Sequence, residues 1–430
     1  MESAPLIQTT TTGEGSRTPL SAAGVFWYVL ANLGYGAFYA FNNFVIPLWL
    51  DTYTHNAVIK SLMAGSHSFE GVFIQPLVGS ISDRLAGPGG RRRPFMRVSI
   101  ALSTIFLLLA PAAAVLPPGI RLVGIVTCIF LFTLTFNVAI DPYQALLADV
   151  TTPKQRGRIT GIWYFVGAFG QVLLLVVIYV LNLKLFTGFI LVGLLMLITT
   201  LLTCAKTREP QIITPHESPR GHLDDIKLAL AGLRSLRQAR IYMGVFFFAG
   251  AGIAAVTPNL SSFIKRITLC SDGTALIMSA LLLVCAGLGG LLFGPLVNRF
   301  GSKRLLLFSL GMIAVAALCA LKIHTLAQVG VVLGLAGIGI GAQNASAYPL
   351  LTRLVPAKEI GFYVGLQTAS MSLAGPLAAW LTGVMINHSG YRVIFAVCAI
   401  CLIVAVTTLL FLREKRAPEE IALREREIAA

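Results

Sequence analysis

The sequence predicts an all-α membrane protein of twelve transmembrane helices in two six-helix pseudo-symmetric halves, with both termini cytoplasmic. Three observations predict it: a charge-poor composition, twelve apolar stretches of spanning length, and a basic hairpin used twice. Of 430 residues, 56% are apolar and 12% charged, and the mean hydropathy is +0.81. A soluble chain carries roughly twice that share of charge. Forty-one glycines and twenty prolines suit helices that pack closely and break locally, where neighbours re-satisfy freed backbone groups.

Residues 1–22 form a polar cytoplasmic tail with a threonine run from Thr9 to Thr12 and without the short apolar core of a cleaved signal peptide. Glu2 to Ile7 matches an acidic dileucine sorting pattern only loosely. The N-terminal half, 23–205, carries apolar stretches at about 24–50, 58–82, 94–116, 121–149, 157–182 and 185–205. The linker, 206–239, opens with Pro210, Pro215 and Pro219. It continues with Leu223, Ile226, Leu230, Leu233 and Leu236 at helical spacing among charges, which predicts a helix lying on the cytosolic face. The C-terminal half, 240–412, has stretches at about 240–264, 274–298, 303–321, 325–352, 360–387 and 391–412, and 413–430 is a cytoplasmic tail. Several stretches exceed the roughly 20 residues a span requires, so tilted or kinked helices are expected.

Lysine and arginine set the orientation. With both termini inside, the inner segments hold 26 of them and the outer ones seven: Lys60, Arg121, Lys184, Lys265, Arg266, Lys322 and Arg392. The net charge of +15 then serves insertion and inner-leaflet attraction, and implies no nucleic-acid partner. Six of the seven cysteines lie within apolar stretches and the six histidines are dispersed. Neither set makes a disulfide framework or a metal site, and there is no nucleophile elbow or phosphate-cradling loop. No enzyme activity, catalytic residue, metal or cofactor is therefore expected.

The hairpin after the second stretch places Gly79 four residues before an Asp83-Arg84 pair and ends in Arg91, Arg92 and Arg93. A weaker copy, Gly294 to Arg304, carries Asn298-Arg299 and Lys303-Arg304. A second repeat matches Leu147, Gly157 and Gly161 to Leu351, Gly361 and Gly365 at one offset, on which Asp149 falls on Arg353. Duplicated halves of this kind hold a site at the midplane and rock about it.

The twelve-helix plan and repeated hairpin resemble the major facilitator superfamily over nearly the whole chain. Within it, Gln75 to Arg84, Gly90 to Phe95 and Ala145 to Asp149 look like the sucrose transporter group and the related glycoside, pentoside and hexuronide cation symporters. A helix end offers unpaired backbone groups that an ion complements. Asp83 can thus meet the helix start around Glu359 to Phe362 in the other half, and Arg84 with one of Arg91 to Arg93 can pair with Asp149. The resemblance implies the same cytoplasmic gate, for which Gly79, Asp83, Arg84, Arg91, Asp149, Arg156, Arg299 and Arg353 are the candidates. Arg92, Arg93 and Arg97 are read chiefly as topology determinants.

Only two acids lie well inside a predicted span, Glu70 and Asp141, both in the first half. A bare carboxylate at that depth costs several kcal/mol unless paired, hydrated or protonated, which suits it to bind and release a cation. Asp141 precedes Pro142 and shares a helical face with Asn137 and Gln144; a hydrogen-bonded structural acid is the alternative. Glu70 has His67 one turn earlier, so Asp141, Glu70 and His67 are the coupling candidates, with an internal His67–Glu70 pair as the alternative. Plant-type sucrose carriers have an arginine where this chain has Gln144 and an aspartate where it has Thr133, which argues against sucrose itself. Sodium is less expected than the proton, although melibiose-type relatives place acids near the positions of Glu70 and Gln75.

Tyr35, Tyr39 and Asn42 share one face of the first helix. With Asn137, Gln144, Tyr164, Gln171, Asn259, Gln343, Asn344, Tyr348 and Gln367 they are the candidates for cargo binding. Neutral amides and rings suit an uncharged hydroxylated molecule, whereas helix-to-helix glue is the alternative for each amide. The expected function is alternating-access, proton-coupled symport of a sugar or other neutral polyol. The alternatives are efflux of amphiphilic compounds, transport of a non-sugar metabolite, and a non-transporting receptor. The expected setting is a monomer in the lipid bilayer of the inner or plasma membrane, ahead of a vacuolar or lysosomal one.

Overall fold

The structure is a computed structural model and describes residues 19–67, 74, 78, 90, 92–207, 209, 236–356, 360–414, 418 and 422. The first helix, α1, starts at Ser21, whose Oγ accepts from the Gly24 N–H at 3.2 Å. It runs through Ala22–Ala40, a π-helical turn Phe41–Val45, and Ile46–Leu50. The second, α2, is described over 57–67; most of the rest of that span and of the basic hairpin lies outside the described residues. Helices α3 (Arg93–Ala113), α4 (Pro118–Val150), α5 (Pro153–Val180) and α6 (Leu185–Lys206) complete the N-half.

The C-half opens with α7, which is broken: Arg237–Val256, a 3-10 turn Thr257–Asn259 around Pro258, then Leu260–Thr268. Proline lacks the N–H that would continue the ladder, and the tighter turn absorbs the defect. Helix α8 (Asp272–Phe293) is followed by a short Leu296–Phe300 turn, α9 (Ser302–Ala320), α10 (Leu326–Leu351), α11 (Ile360–Ser389) and α12 (Val393–Leu410). A reciprocal capping box of Thr325 and Gln328 starts α10. Among the described residues, ten segments are long and apolar enough to cross a membrane by length and composition; α1, interrupted, and α2, described in part, complete the twelve. The linker helix expected within 206–239 lies largely outside the described residues.

In the N-half, an aromatic core joins α1 to α4. Phe38 stacks on Phe136 with centroids 3.6 Å apart, and Tyr35 meets Phe136 and Tyr143 edge-on. Polar groups inside the bundle are answered across helices, as a hydrocarbon surround requires. Tyr28 and Tyr143 exchange hydroxyl-to-carbonyl hydrogen bonds at 3.3 and 3.0 Å. The Thr203 hydroxyl donates to the Trp27 carbonyl at 2.8 Å, and Ser103 to that of Phe132 at 3.1 Å. A Cβ on Gly36 would run into the Gly167 backbone, so glycine sets how closely α1 and α5 approach.

Candidate functional site

A cavity of about 300 Å³ lies between the halves. From the N-half it is lined by Asn43 of α1 and by Ala64, Gly65 and His67 of α2; from the C-half, α7 contributes Gly250 to Pro258 and α11 Met371 to Ala379. The π turn in α1 and the 3-10 break in α7 both sit at its wall, and such local departures from the α-helix concentrate at functional sites. Asn43, His67, Thr257 and Ser372 supply the polar groups, and among the described lining residues there is no Lys, Arg, Asp or Glu.

His67 is the best-braced of these. The Asn42 amide nitrogen donates to the Ala64 carbonyl at 2.6 Å and faces His67 Nδ1 at 3.1 Å, while Asn137 donates to the His67 carbonyl at 2.9 Å. The Asn42 Oδ1 is buried without a hydrogen-bond partner among the described residues. The Tyr39 ring stands edge-on to His67 at 5.5 Å.

The remaining sequence candidates are dispersed. Asp141 is half-buried in α4, one turn beyond Asn137. Tyr35 is fully buried in the N-half core. Asn137 directs its amide to backbone carbonyls of His67 and Thr133. Gln144, Tyr164, Asn344 and Tyr348 are exposed and Gln171 is half-buried. Gln343 is buried, and Gln367 accepts from the Tyr242 hydroxyl at 2.9 Å. Asn259 bridges the halves: its amide donates to Ser61 Oγ at 2.8 Å. Glu70, Gly79, Asp83, Arg84, Arg91 and the side chain of Arg156 lie outside the described residues.

At the basic ends of the helices, Asp149 of α4 forms a buried ion pair with Arg92. The Arg92 backbone N–H donates to the Glu209 carboxylate at 3.1 Å. Arg92 thus fixes the start of α3 against α4 and the segment after α6, and among the described residues it is the member of Arg91 to Arg93 that pairs with Asp149. On the C-half, Arg353 lies 3.6 Å from Glu414, and Arg299 sits over the Phe300 ring at 5.6 Å.

Among the described residues, the hydrogen bonds and ion pairs joining the halves gather at the opposite end. Ser61 meets Asn259, Ser261 donates to the Phe44 carbonyl at 2.8 Å, and Asn387 accepts from the Ala57 N–H at 3.0 Å and donates to Asn56 at 3.3 Å. Sequence reading missed Asn43, Thr257 and Ser372, which adjoin flagged features: Asn43 follows Asn42, and Thr257 precedes Pro258. A second cavity, about 50 Å³, lies within the C-half behind Ile253 and Thr257; its lining is almost wholly apolar, so it suits no hydroxylated cargo.

The family model described as Major Facilitator Superfamily matches residues 28–269 and 242–429. The cis,cis-muconate transport protein of Acinetobacter baylyi is 26% identical over 175 residues, 40% of this chain and 42% of that protein. The sucrose transport protein SUC4 of Arabidopsis thaliana is 33% identical over 106 residues, 22% of this chain and 21% of that one. The matches span less than half the length of these curated relatives. Among solved structures, the nucleoside transporter NupG superposes with a TM-score of 0.68 at 14% identity, covering 91% of this chain and 98% of that one. A D-xylose–proton symporter gives 0.68 at 16% identity, covering 91% and 97%.

Proposed function

Because this chain belongs to the Major Facilitator Superfamily, we propose that it is a secondary active transporter that carries a sugar or other neutral hydroxylated small molecule with a proton by alternating access. The carrying observation is the cavity between the halves: its polar groups are an amide, an imidazole and two hydroxyls, with no fixed charge among its described lining residues. Such groups exchange hydrogen bonds with hydroxyls, whereas a dicarboxylate like muconate calls for cationic partners. His67 and Asp141, both near Asn137 on the N-half side, are the proton candidates. The lysine and arginine distribution supports cytoplasmic termini in the plasma membrane, which places the sealed end on the outer side.

The test is pH-gradient-driven uptake into proteoliposomes of labelled pentoses, hexoses, disaccharides, nucleosides and muconate, with Asp141→Asn alongside. We expect saturable uptake of one neutral class that collapses with the gradient. Asp141→Asn should lose uphill accumulation while retaining exchange. Muconate as the sole cargo would overturn the neutral-cargo reading, and normal accumulation by Asp141→Asn would remove that residue from coupling.

A further inference from the structure

The sealed end holds a charge cluster that no cargo or coupling argument uses. Lys60 of α2 has a side chain only 1% exposed, and its ammonium donates to Asp51, at the end of α1, and to the Tyr391 hydroxyl at 2.6 Å. Asp51 and Lys60 belong to the N-half; Tyr391, in the turn between α11 and α12, belongs to the C-half. The second oxygen of Asp51 accepts from Ser262 of α7 at 3.0 Å, and its first also lies 3.4 Å from Arg266. Lys60 and Arg266 also lie 5.3 Å and 4.8 Å from the centroid of the Tyr391 ring.

We propose that Asp51 is the keystone of a charge lock that holds this end of the transporter shut. One carboxylate serves two cations, one from each half. A buried ammonium is tolerated only while paired and hydrogen-bonded, and removing one partner of such a pair is strongly destabilising. With Asp51 in place, closing the end adds Ser262 and Arg266 to its carboxylate and Tyr391 to Lys60. Without its charge, Lys60 and Arg266 become like charges from opposite halves facing one aromatic ring. Separation of the halves, which admits water, relieves them. The lock holds whatever the cargo is, so its test needs no transport.

Purified protein carrying Ala57→Cys in a Cys270→Ser, Cys319→Ser background reports the seam, because Ala57 is fully buried there with its N–H on Asn387. The readout is the rate of modification by a hydrophilic maleimide in detergent. We expect slow labelling in the parent and labelling faster by about tenfold or more in Asp51→Asn, in line with the cost of stripping one partner from a buried charge pair. Adding Lys60→Met to Asp51→Asn removes the unpaired cation and should return the rate towards the parent. Tyr391→Phe, which keeps the ring and the buried pair, should give a smaller acceleration, and it carries the test if Asp51→Asn is not monodisperse. An unchanged rate in Asp51→Asn, or in Tyr391→Phe where that carries the test, would overturn the lock. So would a double variant labelled as fast as Asp51→Asn alone.

Discussion

Tyr28 and Tyr143 each donate a hydroxyl hydrogen to the other's backbone carbonyl, an exchange that ties α1 to α4 at two points while their rings stack 5.2 Å apart. Inside a bilayer those carbonyls have no water to turn to. Tyr143→Phe keeps the ring and removes one of the two donors. It should lower unfolding stability by about 1 kcal/mol, the usual net worth of one such bond, and leave uptake nearly intact. Thermal unfolding of the purified variant beside the parent measures the first, and liposome uptake the second. A large loss of transport without a loss of stability would move Tyr143 from the scaffold into the cargo site. Amides divide in the same way: Asn137 holds helix backbones together, Asn259 crosses between halves, and Asn42 braces an imidazole at the cavity. Residue type alone does not distinguish these uses.

At the scale of helices, closure depends on how near α2 comes to α11. A Cβ added at Gly383 would lie 2.6 Å from the Val58 Cα, a distance no side chain tolerates against backbone. Gly383→Val should therefore leave each half folded and prevent the seam from shutting. The buried Ala57→Cys reporter should label rapidly and transport should cease, with monodispersity retained; slow labelling would show that α11 can shift to accommodate the valine. Helix extents were legible in the sequence because a span is a long apolar run: the sixth was read as 185–205 and is Leu185–Lys206. The π turn Phe41–Val45 was not legible, because it leaves composition and apolar spacing unchanged. The break in α7 was half legible, since Pro258 marks a defect without saying which way the helix responds. Candidate site residues on one helix, such as Tyr39 and Asn42, can be grouped by periodicity. Lys60 and Tyr391 cannot, being 331 residues apart and joined only where the halves meet.

Across the whole molecule, the described contacts between halves are lopsided. Amides, hydroxyls and the Asp51 cluster seal one end, while the described ion pairs at the other, Arg92–Asp149 and Arg353–Glu414, each stay within one half. Alternating access requires each end to open in turn, so passing to a state open at this end must break the seam. Asn56 and Asn387 face each other across it at 3.3 Å, so Asn56→Cys with Asn387→Cys in the Cys270→Ser background places a pair of thiols on the seam for oxidation. Oxidation should stop both gradient-driven uptake and exchange, because even exchange requires each side to open in turn, and a thiol reductant should restore both. Asp141→Asn is expected to keep exchange, so the pair of results separates loss of coupling from loss of motion. Exchange that continues through the oxidised seam would mean that cargo passes without this end opening, and rocking of the two halves would no longer describe the transport cycle.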